Sequence, residues 1–383
     1  MVKTRPKFAT GTGLTKPLRV LVLNAGSSSL KVSLVDDDIV ESESEFEVAE
    51  GRLDETQLSA TVRAMGGVDA VGHRVVHSGP RYRASVRIDR EVVSYLVSIT
   101  DLAPLHLPAA LAAMSAVREL LPRVPAVACF DTAFHSNMPA SATTYAIPEE
   151  WRERYGLRRY GFHGFSHAYA SKRAAEMLHR PLGELKVVTC HLGAGASLAA
   201  VRHGRSVDTT MGFTPLEGLV MATRSGTVDP GLLLFLQRRA GLSEAELNEG
   251  LDRRGGLLAL AGTPDMREVI ERVHQGDERA ELALDVYIHR LRASIASMAA
   301  AMGGLDVLVF TGGVGENAPS VRAATVGGLR FLGLEIGPTL NASLGTDADI
   351  SAPSARVPTL VVKAREDIEV ARDVRRVLSA PPP

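Results

Sequence analysis

The sequence predicts an α/β protein built from two related lobes that grip one nucleotide in the cleft between them. Runs rich in β-branched residues alternate with alanine-rich helical stretches, which is typical of an α/β fold. Residues 20–35 (VLVLNAGSSSLKVSLV) read as an apolar strand, a polar residue, a turn of small residues and a returning strand. Residues 186–201 (KVVTCHLGAGASLAAV) repeat that order. Because this hairpin suits phosphate and occurs twice, a phosphotransferase is the leading hypothesis.

Strands are expected wherever a short apolar run is bounded by glycine or polar residues. These runs are residues 19–25, 31–36, 70–77, 126–132, 186–192, 197–203, 306–313 and 359–364. Helices are expected over residues 109–120, 167–178, 232–240, 281–302 and 366–379. In the longest of them apolar residues recur three and four positions apart, and Gly303 and Gly304 follow as a C-cap.

The length of 383 residues suits two domains, at roughly 150 residues per domain. Residues 138–159 are polar, aromatic and proline-bearing, so we place the crossover between the lobes near residue 150. The final helix is expected to return to the first lobe, which would otherwise lack a closing element. The first lobe is therefore expected to take residues 18–150 plus 368–383, the second lobe residues 151–367, and residues 1–17 a flexible tail.

The composition argues against several classes of function. A net charge of −1 gives no electrostatic reason to expect nucleic acid or an anionic membrane as a partner. No run of about 18 apolar residues predicts a membrane span, and no apolar signal core follows the basic N-terminal residues. Cys129 and Cys190 lie in apolar strand-like runs, and two buried thiols suit a reducing cytoplasm. A redox role for these thiols is the lesser alternative.

Three glycine-rich turns supply candidate phosphate contacts. In LNAGSSSLK, Asn24, Gly26 and three serines form a turn, and Lys31 lies just beyond it. Glycine lets the backbone approach an anion, and turn N–H groups with hydroxyls can surround a phosphate. One such segment alone favours an ordinary β-hairpin turn, but the similar segment HLGAGAS shifts the interpretation toward phosphate binding. FTGGVGEN (residues 310–317) follows an apolar strand, where a nucleotide approaches an α/β sheet.

Two arginines lie among apolar or small residues and need anionic partners. Arg74 in GHRVVHSG is flanked by apolar residues, and Arg224 in ATRSGT is followed by serine and glycine. A partly buried guanidinium pairs with a carboxylate or a phosphate, so a structural ion pair and a substrate contact are both open. Asp131 ends a strand in CFDTAFH, where it is either a metal or base carboxylate or the cap of a turn.

A histidine pair and a carboxylate pair extend this set. His163 and His167 in YGFHGFSH lie four residues apart, a spacing compatible with zinc but without a third ligand or an HExxH pattern. Beside two arginines and an aspartate, a histidine there can donate to a transferring phosphoryl group. Glu366 and Asp367 open the final helix, where they either complement the helix dipole or supply a Mg²⁺ site.

Taken together, these motifs resemble acetate kinases. The resemblance rests on VLNAGSSSLK, GHRVVHSG, FDTAFH, YGFHGFSH, HLGAGAS, SVDTTMGFTPLEGLVMATRSGTVDPG, FTGGVGEN and REDIEVAR, in the family's order over residues 18–378. Its most specific part is the run DTTMGFTPLEG. Such kinases belong to the superfamily of sugar kinases, Hsp70 and actin. The resemblance therefore implies an α/β fold of two duplicated RNase H-like (actin-like) lobes with a nucleotide cleft between them.

The resemblance also implies an activity, which is reversible transfer of the ATP γ-phosphoryl group to acetate, giving acetyl phosphate and ADP. Mg²⁺ is the implied cofactor, with Mn²⁺ as a substitute, and the implied assembly is a cytoplasmic homodimer that binds the small molecules acetate and ATP. Arg74 would hold the acetate carboxylate, Arg224 would hold the transferring phosphoryl group, and His163 would donate a hydrogen bond to that group. Since a carboxylate is already a nucleophile at neutral pH, Asp131 would orient Mg²⁺ and the reacting groups.

The remaining implied contacts divide between the lobes. The first lobe would carry the acyl substrate, the metal and one phosphate hairpin, and the second lobe would bind the nucleotide. The implied metal ligands are Asn24 and Glu366, and the implied acyl pocket consists of Val76, Leu105, Phe162 and Pro215. The implied nucleotide contacts are Lys31, His191, Leu192, Gly193, Ala194, Gly195, Asp265, Met266, Arg267, Gly313, Val314, Gly315, Glu316 and Asn317.

Four residues depart from the pattern usual in acetate kinases. Ala194 replaces an asparagine in the glycine turn, Ala222 a glycine, Phe165 a threonine and Leu107 an asparagine. The missing asparagine amide removes one donor near the phosphates while backbone N–H groups remain, so altered nucleotide affinity is expected. The interval between the first glycine turn and GHRVVHSG is also shorter than usual, which implies a trimmed first lobe.

Rival functions remain open at this stage. A propionate or butyrate kinase of the same superfamily differs in pocket size, and one methylene discriminates by only about 1–3 kcal/mol. An actin- or Hsp70-like ATP switch would close its lobes on nucleotide without an acyl pocket or paired arginines. Arg74 and Arg224 count against the switch. A catalytically inactive regulatory relative is disfavoured because every matched catalytic position is filled.

Overall fold

A computed structural model describes residues 18–26, 29–47, 54–104, 106–342 and 347–380. The tail predicted over residues 1–17 lies outside these ranges, as do Ser27 and Ser28 of the first glycine turn. Leu105, expected to line the acyl pocket, also lies outside them. Within the described residues the chain forms two six-stranded sheets with helices packed against them.

The two sheets repeat one arrangement of strands. The first sheet contains β1 (Val20–Ala25), β2 (Ser29–Asp36), β3 (Ile39–Glu47), β4 (Ala70–Val75), β5 (Val86–Arg87) and β6 (Ala126–Phe130). The second contains β7 (Lys186–Leu192), β8 (Ala196–Arg202), β9 (Arg205–Thr209), β10 (Val307–Thr311), β11 (Ala348–Asp349) and β12 (Thr359–Val361). Their orders are β3-β2-β1-β4-β6-β5 and β9-β8-β7-β10-β12-β11. Three neighbouring strands of each sheet run parallel, namely β1, β4 and β6 in the first and β7, β10 and β12 in the second. The remaining pairs are antiparallel. The predicted duplication is confirmed.

The helices are α1 (Glu55–Met65), α2 (Arg90–Ser98), α3 (Leu107–Leu120), α4 (Ala140–Thr143), α5 (Glu149–Tyr155), α6 (Gly164–Met177), α7 (Pro230–Ala240), α8 (Glu244–Asn248), α9 (Gly256–Ala261), α10 (Met266–His274), α11 (Glu278–Met302), α12 (Gly312–Asn317), α13 (Pro319–Gly327), α14 (Pro338–Ala342) and α15 (Glu366–Ser379). All five predicted helices are present. α11 begins at Glu278, earlier than the predicted start at residue 281. Its N-cap is Asp277, whose side chain accepts hydrogen bonds from the N–H groups of Arg279 (2.9 Å) and Ala280 (3.2 Å). No helix in the described ranges combines the length and apolarity needed to cross a bilayer.

Several elements were not predicted. β3 (IVESESEFE) and β9 (RSVDT) form equivalent edges of the two sheets. Because an edge strand meets solvent, it carries polar residues and shows no apolar run. The residues predicted as a turn at 313–317 lie instead in the short helix α12. There the Glu316 carboxylate accepts the Gly312 N–H (3.0 Å) and the Asn317 side chain donates to the Gly313 carbonyl (2.9 Å), which closes the turn into a helix.

The C-terminal helix α15 packs against β1, β4 and β6 of the first sheet, and against α6. Its buried face includes Val370, Ala371 and Val374. Gly72 of β4 makes room for it, since a Cβ at that position would lie 2.8 Å from side-chain atoms of Val370 and Val374. The packing brings Glu366, the first residue of α15, beside the ends of β1 and β4.

Candidate active site

Side chains at the ends of neighbouring strands form a polar cluster in the first lobe. Asn24 and Arg74 are register partners on the parallel strands β1 and β4, and Asp131 follows β6 directly. Arg74 donates to both carboxylate oxygens of Asp131, from Nε at 2.9 Å and from Nη2 at 2.5 Å. Arg74 Nη1 donates to Asn24 Oδ1 (2.7 Å), and Asn24 Nδ2 donates to Glu366 Oε2 (3.0 Å). The ends of parallel strands thus join four residues that are distant in sequence.

Arg74 is a buried cation whose charge is balanced by carboxylates. Its side chain is 12% exposed and that of Asp131 1% exposed. Although burial opposes the charged form, Asp131 and Glu366 raise the pKa of Arg74 above its ordinary value. Burial raises the pKa of Asp131, and the Arg74 guanidinium opposes that rise. The structural ion pair left open by the sequence is therefore present, and it fixes the orientation of the guanidinium.

His163 precedes α6 in a left-handed backbone conformation, with φ 54° and ψ 30°. Residues with a Cβ rarely adopt this region. The adjoining Gly164 lies directly against Asp131, because its N–H donates to the Asp131 carbonyl (3.0 Å) and a Cβ there would lie 2.1 Å from that oxygen. The Asp131 carboxylate also accepts a hydrogen bond from the backbone N–H of His163. These contacts hold the start of α6 beside the Arg74 cluster.

The His163 ring ends a chain of hydrogen bonds that the sequence analysis did not identify. Its Nδ1 lies 2.9 Å from Ser197 Oγ, which lies 2.8 Å from His167 Nε2, and His167 Nδ1 lies 2.8 Å from Thr189 Oγ1. Burial lowers the pKa of His163 well below its ordinary value, and the neighbouring His191 and Arg74 lower it further. The ring is therefore neutral. A neutral imidazole carries one N–H, and the Ser197 hydroxyl has one proton for the two rings that it contacts. Nε2 of His163 is a donor in the tautomer in which Nδ1 accepts that proton.

Arg224 and His163 converge on Gly195, at the end of the second glycine turn. A Cβ on Gly195 would lie 3.3 Å from His163 Nε2 and 3.4 Å from Arg224 Nη1. Arg224 Nη1 also donates to the Pro215 carbonyl (3.2 Å), and its Nε forms an ion pair with Asp252 (3.2 Å). Because Gly195 has no side chain, a space remains that the His163 imidazole and the Arg224 guanidinium both face.

His163, Arg224 and Gly195 form a second cluster, which lies against the cluster around Arg74. The ring of His191 lies 4.4 Å from that of His163. Burial lowers the pKa of His191, which also responds to the charges of Glu366 and Arg74. His106, which the sequence analysis did not single out, responds to the charges of both arginines. Burial lowers the pKa of His106 to about 4, and Arg224 and Arg74 contribute to that shift. The two lobes thus bring their charged groups to one place.

A cavity of about 610 Å³ adjoins the second glycine turn. This volume lies in the usual range for small-molecule sites. Its lining brings together predicted nucleotide contacts from three separate segments, namely Gly193, Ala194, Asp265, Met266, Arg267, Gly313, Val314 and Asn317. Apolar side chains such as Leu257, Ile270 and Tyr287 complete the wall. The cavity therefore combines an apolar surface with the backbone of two glycine-rich segments.

The other predicted nucleotide contacts do not line this cavity; they are Lys31, His191, Leu192, Gly195, Gly315 and Glu316. The Glu316 carboxylate accepts hydrogen bonds from the backbone N–H groups of Gly312 (3.0 Å) and Ala364 (2.9 Å), so it holds two loops together. Lys31 on β2 forms an ion pair with Glu43 on β3. Leu192 and Gly315 are buried.

Val76, Phe162 and Pro215, the predicted acyl-pocket residues that the structure describes, lie next to members of the two clusters. Val76 follows β4 two residues after Arg74, and Phe162 precedes His163 in the chain. Both side chains are buried in one apolar cluster. The carbonyl oxygen of Pro215 accepts the hydrogen bond from Arg224 described above.

The residues expected to bind a metal have the donor chemistry for Mg²⁺. Mg²⁺ usually binds through one or two carboxylates together with waters and substrate phosphates. Asn24 and Glu366 are in direct contact, because Asn24 Nδ2 donates to Glu366 Oε2 (3.0 Å), while Asn24 Oδ1 accepts from Arg74 (2.7 Å). Within the residues that the structure describes, no group of three or more His, Cys, Asp or Glu side chains could hold a metal ion. The zinc alternative for His163 and His167 therefore gains no third ligand there.

Comparison with known proteins places these features in one family. The model of the Acetokinase family matches residues 47–372. An acetate kinase of Trichormus variabilis is 43% identical over 405 residues, which cover 94% of this chain and 100% of that protein. The chain belongs to the acetokinase family. An acetate kinase of Geobacillus kaustophilus is 42% identical, over 94% of this chain and 99% of that protein.

Solved structures confirm the fold. The crystal structure of Porphyromonas gingivalis acetate kinase is 36% identical with a TM-score of 0.86, over 94% of this chain and 100% of that one. A propionate kinase from Francisella tularensis is 34% identical with the same TM-score of 0.86 and the same coverage, 94% and 100%. Two proteins named for different acyl substrates are therefore equally similar to this chain in structure.

The four departures from the usual acetokinase pattern lie in different surroundings. Ala194 and Ala222 both line the 610 Å³ cavity, and the Ala194 carbonyl accepts the Ala222 N–H at 3.1 Å. Phe165 is buried with side chains of α15, and Leu107 is buried at the start of α3. The first two departures therefore face the expected nucleotide, and the other two belong to the apolar core.

Proposed function

We propose that this member of the acetokinase family is an acetate kinase, which transfers the γ-phosphoryl group of ATP to acetate reversibly and yields acetyl phosphate and ADP. The observation that carries the proposal is that two partly buried arginines act on His163. Arg224 Nη1 and His163 Nε2 face the same space at Gly195, and the charge of Arg74 also lowers the pKa of His163. One arginine suits a carboxylate acceptor and the other a phosphoryl group. A cavity of nucleotide size adjoins this space.

Arg74 would hold the acceptor carboxylate in the first lobe. Its guanidinium is held in place by Asp131 and Asn24, so little side-chain freedom is lost when the acceptor binds. A carboxylate is ionised at neutral pH and attacks without a general base. Because both oxygens of Asp131 already bind Arg74, this residue would position the arginine and need not accept a proton.

Arg224 and His163 would stabilise the transferring phosphoryl group. Charge spreads over the equatorial oxygens of this group in the transition state, so fixed donors aimed at them supply much of the catalysis. Arg224 contributes positive charge and His163, as a neutral ring, contributes a hydrogen bond from Nε2. Gly195 leaves room for the oxygens between the two donors.

The nucleotide would occupy the 610 Å³ cavity of the second lobe, with its adenosine toward Asp265, Met266 and Arg267. Its phosphates would run along the glycine turn that contains Ala194, toward Gly195. Asn24 and Glu366 would hold Mg²⁺, or Mn²⁺ in its place. When bound, the metal neutralises phosphate oxygens and helps align the in-line displacement.

A hydroxylamine trap tests the proposal and its alternatives. The enzyme is incubated with ATP, Mg²⁺ and acetate, propionate or butyrate, and the acyl hydroxamate is measured. We expect acetate to react with the highest kcat/KM, with a roughly tenfold or larger loss for each added methylene if the acyl pocket is tight. A higher kcat/KM with propionate would instead identify this protein as a propionate kinase, as the Francisella tularensis protein is named. Bound ATP without hydroxamate from any acid would favour an ATP switch and overturn the kinase proposal.

We also propose that two copies of the chain associate through α7. This helix has no buried residue, and Leu232, Leu234 and Phe235 are 46%, 63% and 51% exposed. Contiguous apolar surface of this kind usually marks an interface. Exposed Arg238 and Arg239 end α7 and acidic residues begin α8, so the surface carries both signs of charge, as a self-complementary two-fold contact requires.

The expected mass in solution is that of a dimer, and Phe235→Glu should reduce it to that of a monomer. Light scattering on purified protein measures both. Phe331→Glu is the matched control, since Phe331 is 69% exposed on a different element, and this variant should stay dimeric. A monomeric wild type, or a dimeric Phe235→Glu protein, would contradict this assembly.

A cytoplasmic location is part of the same proposal. Cys129 and Cys190 are free thiols and both are buried, one in each sheet. Burial raises the pKa of Cys129 well above its ordinary value, which leaves an unreactive thiol suited to a reducing compartment.

A further inference from the structure

A second cavity lies in the first lobe. It has a volume of about 440 Å³ and lies between the helices α2 and α3 and the strands β4 and β6. Val71, Val93, Met114 and Val117 supply apolar wall, and His73 of β4 lies among them. The volume is within the range of cavities that hold small organic molecules.

His73 is a buried imidazole whose Nδ1 lacks a hydrogen-bond partner within the described residues. The residue is 3% exposed. Burial lowers the pKa of His73 to about 3, so the ring is neutral and offers one N–H donor and one acceptor. Buried polar groups are nearly always paired, and an unpaired one is costly. A polar ligand atom that reaches the ring would remove this deficit.

Positive charge predominates around the opening of the cavity. Four exposed arginines belong to its lining, namely Arg87, Arg90, Arg118 and Arg123. Asp89 is the single carboxylate in the lining, and its Oδ1 already accepts the Val92 N–H (2.8 Å) at the start of α2. Each of the four arginines comes from a different element or loop, and all of them line one apolar cavity, so an anion at the opening would meet several guanidinium groups.

We propose that this cavity binds a small organic phosphate ester. Its apolar part would lie against Met114 and Val93, a polar atom of that part would hydrogen-bond to His73, and its phosphate would lie among the arginines at the opening. A phosphate offers several oxygens, and a guanidinium binds two of them through parallel N–H groups. The apolar wall and the buried imidazole favour a ligand with an organic group attached to its phosphate, and they disfavour inorganic phosphate.

This site is separate from the proposed active site, although both use β4. Successive side chains of a strand point to opposite faces of the sheet. Val71 packs with Val117 of α3 on one face, while Gly72 faces Val370 of α15 on the other. His73 therefore lies on the α3 face and Arg74 on the α15 face. The inference does not depend on the proposed acetate kinase activity.

4-Hydroxyphenyl phosphate is the probe, because its hydroxyl can hydrogen-bond to His73 while its phosphate lies among the arginines. The methyl resonances of ¹³C-methyl methionine in the full chain report binding. Met114 lines the cavity, and Met114→Leu assigns its resonance. We expect a saturable shift of that resonance, with a dissociation constant raised about tenfold or more by His73→Leu and by Arg118→Ala. Arg63→Ala is the matched control on the exposed face of α1 and should bind as the wild type does.

Folding and location are checked with the same samples. His73→Leu replaces a polar ring without a partner at Nδ1, so its thermal midpoint should not fall below that of the wild type, which separates lost binding from lost folding. The Met114 shift should persist in Arg224→Ala. Its loss there would show that the probe acts through the active site and would overturn the proposal. Absence of any saturable shift, equal affinity of His73→Leu and wild type, or equal affinity for phenol or benzoate would overturn it as well.

Discussion

Replacing Arg224 by alanine is expected to lower kcat for acyl phosphate formation by a factor of about 10³. The Nη1 atom of Arg224 and the Nε2 atom of His163 face the same space at Gly195. Without the guanidinium, only a neutral imidazole from this pair remains to stabilise charge on the phosphoryl oxygens. The hydroxamate assay with acetate, ATP and Mg²⁺ measures kcat and KM. The loss should lie mainly in kcat, because the interaction strengthens in the transition state.

Two further variants separate charge from geometry. Arg224→Lys keeps the positive charge without the planar fork and should retain more activity than Arg224→Ala. Asp252→Asn removes the ion pair at Arg224 Nε (3.2 Å) while the guanidinium remains, so it should lower kcat by only about tenfold through misplacement. All three should unfold at nearly the wild-type temperature, since the side chains of Arg224 and Asp252 both reach solvent. An unchanged kcat in Arg224→Ala would contradict the role given to this residue.

The duplicated fold could be predicted because its central hairpins are buried. β1, β2, β7 and β8 consist mostly of buried residues, so their sequences are nearly continuous apolar runs around a turn. Each hairpin occupies the same position in its sheet, and the repeated pattern therefore indicated two lobes. The edge strands β3 and β9 could not be found in this way, because solvent on one side permits the polar residues that they carry.

The residues of the site could be found by motif, but their partners could not. Asp131 lies 57 positions from Arg74, and Glu366 lies 342 positions from Asn24. Only the parallel order of β1, β4 and β6, with α15 packed over them, brings these four together. A strand order of this kind is not written in any one segment of sequence.

Ser197 shows the same limit within the second lobe. It lies inside an apolar strand, where its hydroxyl gives no sign that two histidine rings approach it from α6 and from the residue before α6. The left-handed backbone of His163 could not be predicted from the sequence either. Histidine enters this region more often than most residues, but the large majority of histidines lie outside it. Motifs identified which residues matter, whereas tertiary packing decides how each one is held.

Replacing Asp131 by alanine is expected to lower the free energy of unfolding by about 3–5 kcal/mol, because it leaves the buried Arg74 cation without its main partner. Glu366 compensates only in part, since its Oε2 lies 3.8 Å from Arg74 Nη1. Activity should fall with stability, as the guanidinium loses both hydrogen bonds that orient it. Urea unfolding followed by circular dichroism measures the change.

The reciprocal variant and the double variant show whether charge is the cause. Arg74→Met with Asp131→Ala should be more stable than Asp131→Ala alone, because no uncompensated charge remains. Arg74→Met alone leaves a buried carboxylate whose pKa burial already raises in the folded protein. A carboxyl group whose folded-state pKa is raised destabilises the fold when the pH lies above that pKa. The deficit of Arg74→Met should therefore shrink as the pH falls from neutrality toward the ordinary pKa of an aspartate. Equal losses of unfolding free energy in all three variants, independent of pH, would contradict this prediction. They would mean that the pair stabilises the fold by packing and that its charges are not the cause.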